Sequence, residues 1–164
     1  MHGYLEPINQ RISYLMDCMP TLKTKKEVLT VATGTGDLDY HLSQADYKIW
    51  STDIDGDKWY SASPHLHTSH LNFYKSDILD LDSFPIKSCE TVVCSEALEH
   101  ITDYKTAFKN LLMLTDRRLI VAVPQGYSYD IPAWGWPTPE CHVNYWHDDK
   151  GMKDEDFFRN FFEG

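Results

Sequence analysis

Apolar and polar positions along the chain fall into short runs of two alternating kinds. Ile8, Ile12, Leu15, Met16 and Met19 recur at helical spacing and predict an amphipathic helix, which Pro20 ends. Thr21 to Glu27 is polar and reads as a connection. Val28 to Ala32 is apolar and rich in β-branched residues, which predicts a buried strand. It runs into Thr33-Gly34-Thr35-Gly36, and Asp37 to Gln44 follows as a short helix. Tyr47 to Thr52 is a second strand, ending at Asp53-Ile54-Asp55-Gly56, and Leu71 to Lys75 a third, ending at Ser76-Asp77. Glu90 to Cys94 is a fourth. Ile101, Tyr104, Ala107, Phe108, Leu111 and Leu112 mark a second amphipathic helix, and Leu119 to Val123 a fifth strand closed by Pro124. After it comes an aromatic-rich loop, then a helix near Lys153 to Phe162.

Apolar strands separated by helical or loop crossovers predict a parallel α/β sheet. Ligands of such sheets bind beyond the carboxyl ends of the strands. The polar residues of interest are therefore Thr33 to Asp37, Asp53, Asp77, Ser95, Glu96 and Gln125. At 164 residues the chain is expected to be a single domain, without repeats or low-complexity linkers. Its formal charge of −10, with no basic patch beyond Lys23, Lys25 and Lys26, argues against nucleic acid as a partner. No apolar run approaches the ~20 residues that span a bilayer, so no membrane partner is expected. Met1 to Gln10 lacks the apolar stretch of a signal peptide. Cys18, Cys89, Cys94 and Cys141 form no CxxC pair, and reduced thiols in a cytoplasmic protein are expected.

A glycine turn between a first strand and a helix lets a ligand approach the backbone closely, and an acidic residue ending the second strand can accept ribose hydroxyls. Together they indicate a ligand containing a nucleoside. A dinucleotide fingerprint needs a third glycine where Asp39 stands, and a carboxylate there would oppose a pyrophosphate. A phosphate loop needs a lysine that this turn lacks. A nucleoside without phosphates fits better.

With these residues in hand, the chain resembles the class I S-adenosylmethionine-dependent methyltransferases. VLTVATGTGDL is similar to the first motif of that family, and STDID and KSDILDL to the segments after its second and third strands. TVVCSEALEHITD resembles its fourth strand with the Glu-His helix that follows, LIVAVPQG its fifth strand, and HVNYW a downstream His-Val segment. The resemblance covers residues 27 to 146 and implies a Rossmann-like three-layer sandwich with sheet order 3-2-1-4-5. The usual strands 6 and 7 are expected to be missing, because no two alternating apolar runs follow Pro124. One domain is expected, with an N-terminal helix in 1–22, a cofactor-binding core in 27–124 and an aromatic-rich tail in 125–164. The implied cofactor is S-adenosylmethionine. Thr33, Gly34, Thr35 and Gly36 would lie under its methionine part and ribose, and Asp53 would hold the ribose hydroxyls, with Ile54 beside it. Asp77 would reach the adenine amine with Ile78 against the ring, and Cys94, Ser95 and Glu96 would line the methionine end. The family usually has Asp or Glu where Thr30 stands and Gly where Ala32 stands. The implied activity is methyl transfer to an oxygen or nitrogen of a small-molecule acceptor. The alternative is a cofactor-binding or interaction protein of the same fold with little catalysis.

Glu96, Glu99 and His100 would share a face of a helix and, with His142, could hold a divalent metal. Carboxylates favoured at a helix start explain them as well, and no metal is expected. His65, His67 and His70 read as a solvated loop, and Cys141-His142 with His147-Asp148 lacks the second cysteine pair that zinc would want. His142 is the candidate catalytic residue, a base for the acceptor's hydroxyl or amine. Trp134, Trp136 and Trp146, with the helix bearing Phe157, Phe158, Phe161 and Phe162, are expected to cover the sheet edge or a homodimer contact. Monomer and homodimer both remain open.

Overall fold

The structure, a computed structural model, describes residues 5–19, 27–57, 71–123, 143–144, 146–147 and 151–152. Helix α1 (Leu5–Cys18) precedes strand β1 (Glu27–Val31), helix α2 (Asp37–Gln44), β2 (Lys48–Asp53) and β3 (Leu71–Lys75). Then come β4 (Cys89–Ser95), helix α3 (Tyr104–Met113) and β5 (Thr115–Ala122). These five strands form one parallel sheet in the order β3-β2-β1-β4-β5.

Alternation along the strands builds the three layers, because successive side chains leave opposite faces. Leu29 and Val31 of β1 and Val92 and Cys94 of β4 pack on one face with Ala107, Phe108 and Leu111 of α3. Val28, Ile49 and Val93 pack on the other with Leu15 and Met19 of the α1 segment and Leu42 of α2. Central β1 is buried at its last four residues, the pattern of a strand covered on both sides.

Strand β5 starts at Thr115, four residues before the apolar run that predicts it. Asp116, Arg117 and Arg118 are exposed there, so this end of the strand leaves no apolar signature. Two of these side chains make contacts of their own. Arg117 Nη1 lies 3.1 Å from Glu90 Oε1, and Arg118 Nη1 donates to the Cys18 carbonyl at 3.1 Å, where a cation complements a helix C-terminus. Past β5, Trp146–His147 (β6) and Gly151–Met152 (β7) form a separate antiparallel ladder, with Trp146 opposite Met152. Two-residue strands are too short to show alternation in the sequence. The helix expected near Lys153 to Phe162 and the residues Trp134 and Trp136 lie outside the described residues, as does nearly all of the 125–164 tail.

The chain leaves β1 to build β2 and β3, then crosses back to β4 on the other side of β1. The carboxyl ends of β1 and β4 therefore flank a topological switch point, where open α/β sheets form their ligand crevice.

Candidate functional site

The turn after β1 is wound by left-handed residues. Ala32, Gly34 and Gly36 have φ of 56°, 58° and 80°. A methyl group added at Gly34 would meet nothing within 4 Å, so backbone conformation, not protein crowding, calls for glycine there. The space over Gly34 is thus open to a ligand. Ala32 carries the same conformation with a Cβ, at a cost of about 1–2 kcal/mol. Ala32→Gly is expected to relieve that cost and to give back part of it as unfolded-chain entropy, for a net gain of up to ~1 kcal/mol in urea unfolding.

Asp39 supports this turn from beneath. It is fully buried, and its Oδ2 accepts from Thr33 Oγ1 at 2.6 Å and from Ser51 Oγ. The carboxylate that stands in place of a third glycine is therefore a fastener between α2, the turn and β2.

Asp53 ends β2 half-buried. Its Oδ2 accepts from the Gly34 backbone N–H and its Oδ1 from that of Asp55, both at 2.8 Å. One carboxylate thus holds the glycine turn against the end of β2. Each oxygen has two lone pairs and keeps one for a hydroxyl donor. Next to it Ile54 is 59% exposed. It borders a cleft of about 350 Å³ together with Asp55, Gly56, Asp57, Phe73 and Lys75, on the β3 side of Asp53.

Asp77 follows β3. Its Oδ1 accepts from Leu79 N at 2.9 Å, and its own N–H donates to Ser83 Oγ at 2.9 Å, which shapes a tight turn. Ile78 points into the core, and its carbonyl accepts from Asn110 Nδ2 at 2.9 Å, tying α3 to this turn.

At the end of β4 the Cys94 thiol is buried, and desolvation, with the Glu99 carboxyl adding, pushes its pKa up to about 12. It therefore stays protonated and unreactive. Ser95 Oγ is buried without a hydrogen-bond partner among the described residues. Glu96 adopts φ 56°, donates its N–H to the Ala122 carbonyl at 2.8 Å, and faces Arg11 Nη1 of α1 at 3.6 Å.

The Glu-His segment is not the helix its spacing predicts. Leu98–His100 is a single 3₁₀ turn, and α3 starts only at Tyr104, where the Asp103 side chain accepts from Thr106 N at 3.2 Å. With Glu96 left-handed, Glu96 and Glu99 do not share a helical face. Glu99 turns inward: its side chain is 1% exposed, and neither carboxyl oxygen has a hydrogen-bond partner among the described residues. His100 Nε2 lies 3.7 Å from Glu99 Oε1. Among the described residues no group of three or more His, Cys, Asp or Glu side chains is placed to hold a metal ion.

A distant segment closes this turn. Val143 N and Asn144 N donate to the Glu99 carbonyl at 2.7 and 3.2 Å, and buried Asn144 sends Nδ2 to the Leu98 and Ile101 carbonyls at 2.8 and 2.7 Å. The sequence carries one weak sign of this, an asparagine beside the His-Val pair. Asn144→Ala is expected to cost about 2 kcal/mol in urea unfolding, one unit for each lost amide bond. His142, the candidate base, lies outside the described residues, as do His65, His67, His70 and Cys141.

A family model described as a methyltransferase domain matches residues 29–117, more than half of the chain. No curated protein matches the sequence. Among solved structures, the PH0226 protein of Pyrococcus horikoshii is 21% identical with a TM-score of 0.60, covering 74% of this chain and 58% of its own. Magnesium protoporphyrin IX methyltransferase (ChlM) of Synechocystis, solved with bound SAH, is 24% identical with a TM-score of 0.55, over 73% of this chain and 55% of its own. A chain from the complex of the Haloferax volcanii Trm112 methyltransferase activator with a methyltransferase is 16% identical with a TM-score of 0.68, over 97% of this chain and 72% of its own. The chain thus spans less than two thirds of the length of the first two. At these identities the structures attest the fold, and the family model attests the family. The chain belongs to the class I S-adenosylmethionine-dependent methyltransferases.

Proposed function

We propose that the chain binds S-adenosylmethionine in the crevice at the carboxyl ends of β1, β2 and β4 and passes its methyl group to an oxygen or nitrogen of a small acceptor. The observation that carries this reading is the Asp53 carboxylate, bonded to Gly34 N at 2.8 Å beside open space over that glycine. The residues fit the cofactor on two counts. The turn leaves room for a ligand on its backbone, and the buried Ser95 hydroxyl is without an acceptor or donor among the described residues.

In this reading Asp53 accepts from the ribose hydroxyls and Ile54 covers the adenine ring from the side of the cleft. Asp77 reaches the adenine amine. Thr33, Gly34, Thr35 and Gly36 underlie the ribose and methionine part, and Cys94, Ser95 and Glu96 line the methionine end, Cys94 through its backbone because its side chain is buried. The bound sulfonium supplies an electrophilic methyl group, and the protein's task is in-line placement of the acceptor. His142 is the proposed base for the acceptor's proton. The proposed setting is the cytoplasm, where Cys18, Cys89 and Cys94, all free, stay reduced. No helix among the described residues is long and apolar enough to cross a membrane.

Thr30 favours a second reading, a binding protein with little catalysis. It stands where the family usually has a carboxylate, and its buried Oγ1 has no hydrogen-bond partner among the described residues. Incubation with methyl-labelled S-adenosylmethionine and a small-molecule extract separates the two. Label moving into a new low-mass product supports transfer. Label that stays on a cofactor shown to bind supports the second reading.

A further inference from the structure

Hydrogen bonds tie Val143 and Asn144 to one short turn. Both backbone N–H groups donate to the Glu99 carbonyl, and Asn144 Nδ2 donates to the Leu98 and Ile101 carbonyls, at 2.7–3.2 Å. The turn that offers these carbonyls is itself thinly held. Leu98–His100 is a single turn of 3₁₀ helix, with His100 N on the Ala97 carbonyl at 3.0 Å and Ile101 N on the Leu98 carbonyl at 3.3 Å. It follows the left-handed Glu96 and stops before α3 starts at Tyr104, so no longer helix braces it.

In this turn sits a carboxyl with no place for a charge. The Glu99 side chain is 1% exposed, and both its oxygens lack a hydrogen-bond partner among the described residues. The titratable and charged groups around it do not replace water. Cys94 of β4 is a buried thiol, and Glu96, just past β4, is a like charge. Arg11 of α1 attracts Glu99 but stands 3.6 Å from Glu96. His100 Nε2 lies 3.7 Å from Glu99 Oε1, beyond hydrogen-bond distance, on an exposed residue. On α3, Tyr104 is buried and the capping Asp103 is engaged with Thr106 N. The docked segment brings an uncharged amide. An ionised carboxylate in these surroundings has to reach water. Its side chain and its carbonyl belong to one residue of a three-residue turn, so the rearrangement that exposes the first moves the second, which Val143 and Asn144 share.

We infer that Glu99 is the trigger of a pH-gated latch: with its carboxyl neutral the turn holds Val143 and Asn144, and ionisation swings the carboxylate to water and lets them go. Burial keeps the carboxyl protonated to about 8 while the latch is closed. Once open, the group returns to its ordinary 4.5, so opening grows as pH rises from 4.5 to about 8 and levels off above. Val143 directly follows His142 in the chain, so an open latch also frees the residue next to the proposed base. That consequence rests on the proposed function, whereas the latch does not.

Amide hydrogen exchange of the full chain, resolved by residue and corrected for intrinsic rates, tests this without cofactor or acceptor. At about pH 5.5 the Val143 and Asn144 amides are expected to be less protected than those of Val92 and Val93 in β4, because they open without the sheet. By about pH 7.5 their protection is expected to fall roughly tenfold or more. Glu99→Gln is neutral throughout and is expected to show no such fall. His100→Gln is expected to behave as the unmodified chain, which separates the carboxyl from its titratable neighbour. Asn144→Ala keeps Glu99 and is expected to lower Val143 protection at both pH values while preserving the pH dependence. Val143 and Asn144 amides as protected as those of Val92 and Val93, protection that does not change with pH, or a fall that persists in Glu99→Gln or disappears in His100→Gln overturns the inference. If Glu99→Gln does not fold, the unmodified chain, His100→Gln and Asn144→Ala still decide it.

Discussion

Replacing Asp53 by alanine is expected to lower affinity for S-adenosylmethionine about a hundredfold or more while leaving the sheet intact. Two charge-assisted hydrogen bonds to ribose hydroxyls would each contribute about 1.5–3 kcal/mol, and their sum spans two or more decades in affinity. The residue also holds the glycine turn, because Gly34 N and Asp55 N both donate to it at 2.8 Å. Alanine therefore removes the ribose contacts and loosens the surface on which the rest of the cofactor would lie. Asp53→Asn separates these effects. Its single amide oxygen can keep one backbone donor, so a loss of roughly tenfold is expected. Unchanged affinity in Asp53→Ala, with the melting temperature preserved, would remove the ribose assignment.

Stability is expected to fall as pH rises from about 4.5 to about 8, and Glu99→Gln is expected to abolish most of that fall. Burial foremost, with Glu96 adding, pushes the Glu99 carboxyl from 4.5 up to about 8, while its own backbone N–H and Arg11 pull the other way. In the unfolded chain the carboxyl loses its proton near 4.5, while in the folded chain it keeps it to about 8. Across that window the folded state binds more protons, so each step up in pH favours unfolding, and above about 8 the full penalty is in place. Below 4.5 both states are protonated and the penalty vanishes. A glutamine is neutral throughout. The variant's advantage should be small at pH 4.5 and grow to the order of a few kcal/mol at pH 8.5. Urea midpoints of both proteins at those two pH values measure it, and an advantage that does not change with pH would contradict the assignment.

Glu99 also marks where the sequence stops being legible. Strands β1 and β4 are continuous apolar runs because both their faces are covered, and the run of Asp37 to Gln44 shows a helix with the bounds found in α2. The polar start of β5 leaves no such pattern, since the register with β4 is irregular between Thr115 and Arg118 and the side chains of Asp116 to Arg118 face solvent. The Glu-x-x-Glu-His spacing suggests a helical face, but spacing carries no sign of the left-handed Glu96 that prevents one. Asp53 and Asp77 can be found from position alone, because each lies at the carboxyl end of a strand of a parallel sheet, Asp53 as the last residue of β2 and Asp77 two residues past β3. Arg11 and Asn144 cannot. Their partners lie on segments far away in the chain, Glu96 for the first and the Leu98 and Ile101 carbonyls for the second, and only the folded chain brings them together. Asp39 falls between: its charge argues against a pyrophosphate, while its bonds to Thr33 and Ser51 appear only in three dimensions.

Calorimetric titration of the 164-residue chain with S-adenosylmethionine and with S-adenosylhomocysteine tests the central claim most directly. Saturable one-to-one binding of both, weakened by Asp53→Ala, is the predicted result. No binding of either by a chain that melts cooperatively would contradict it and leave only the fold.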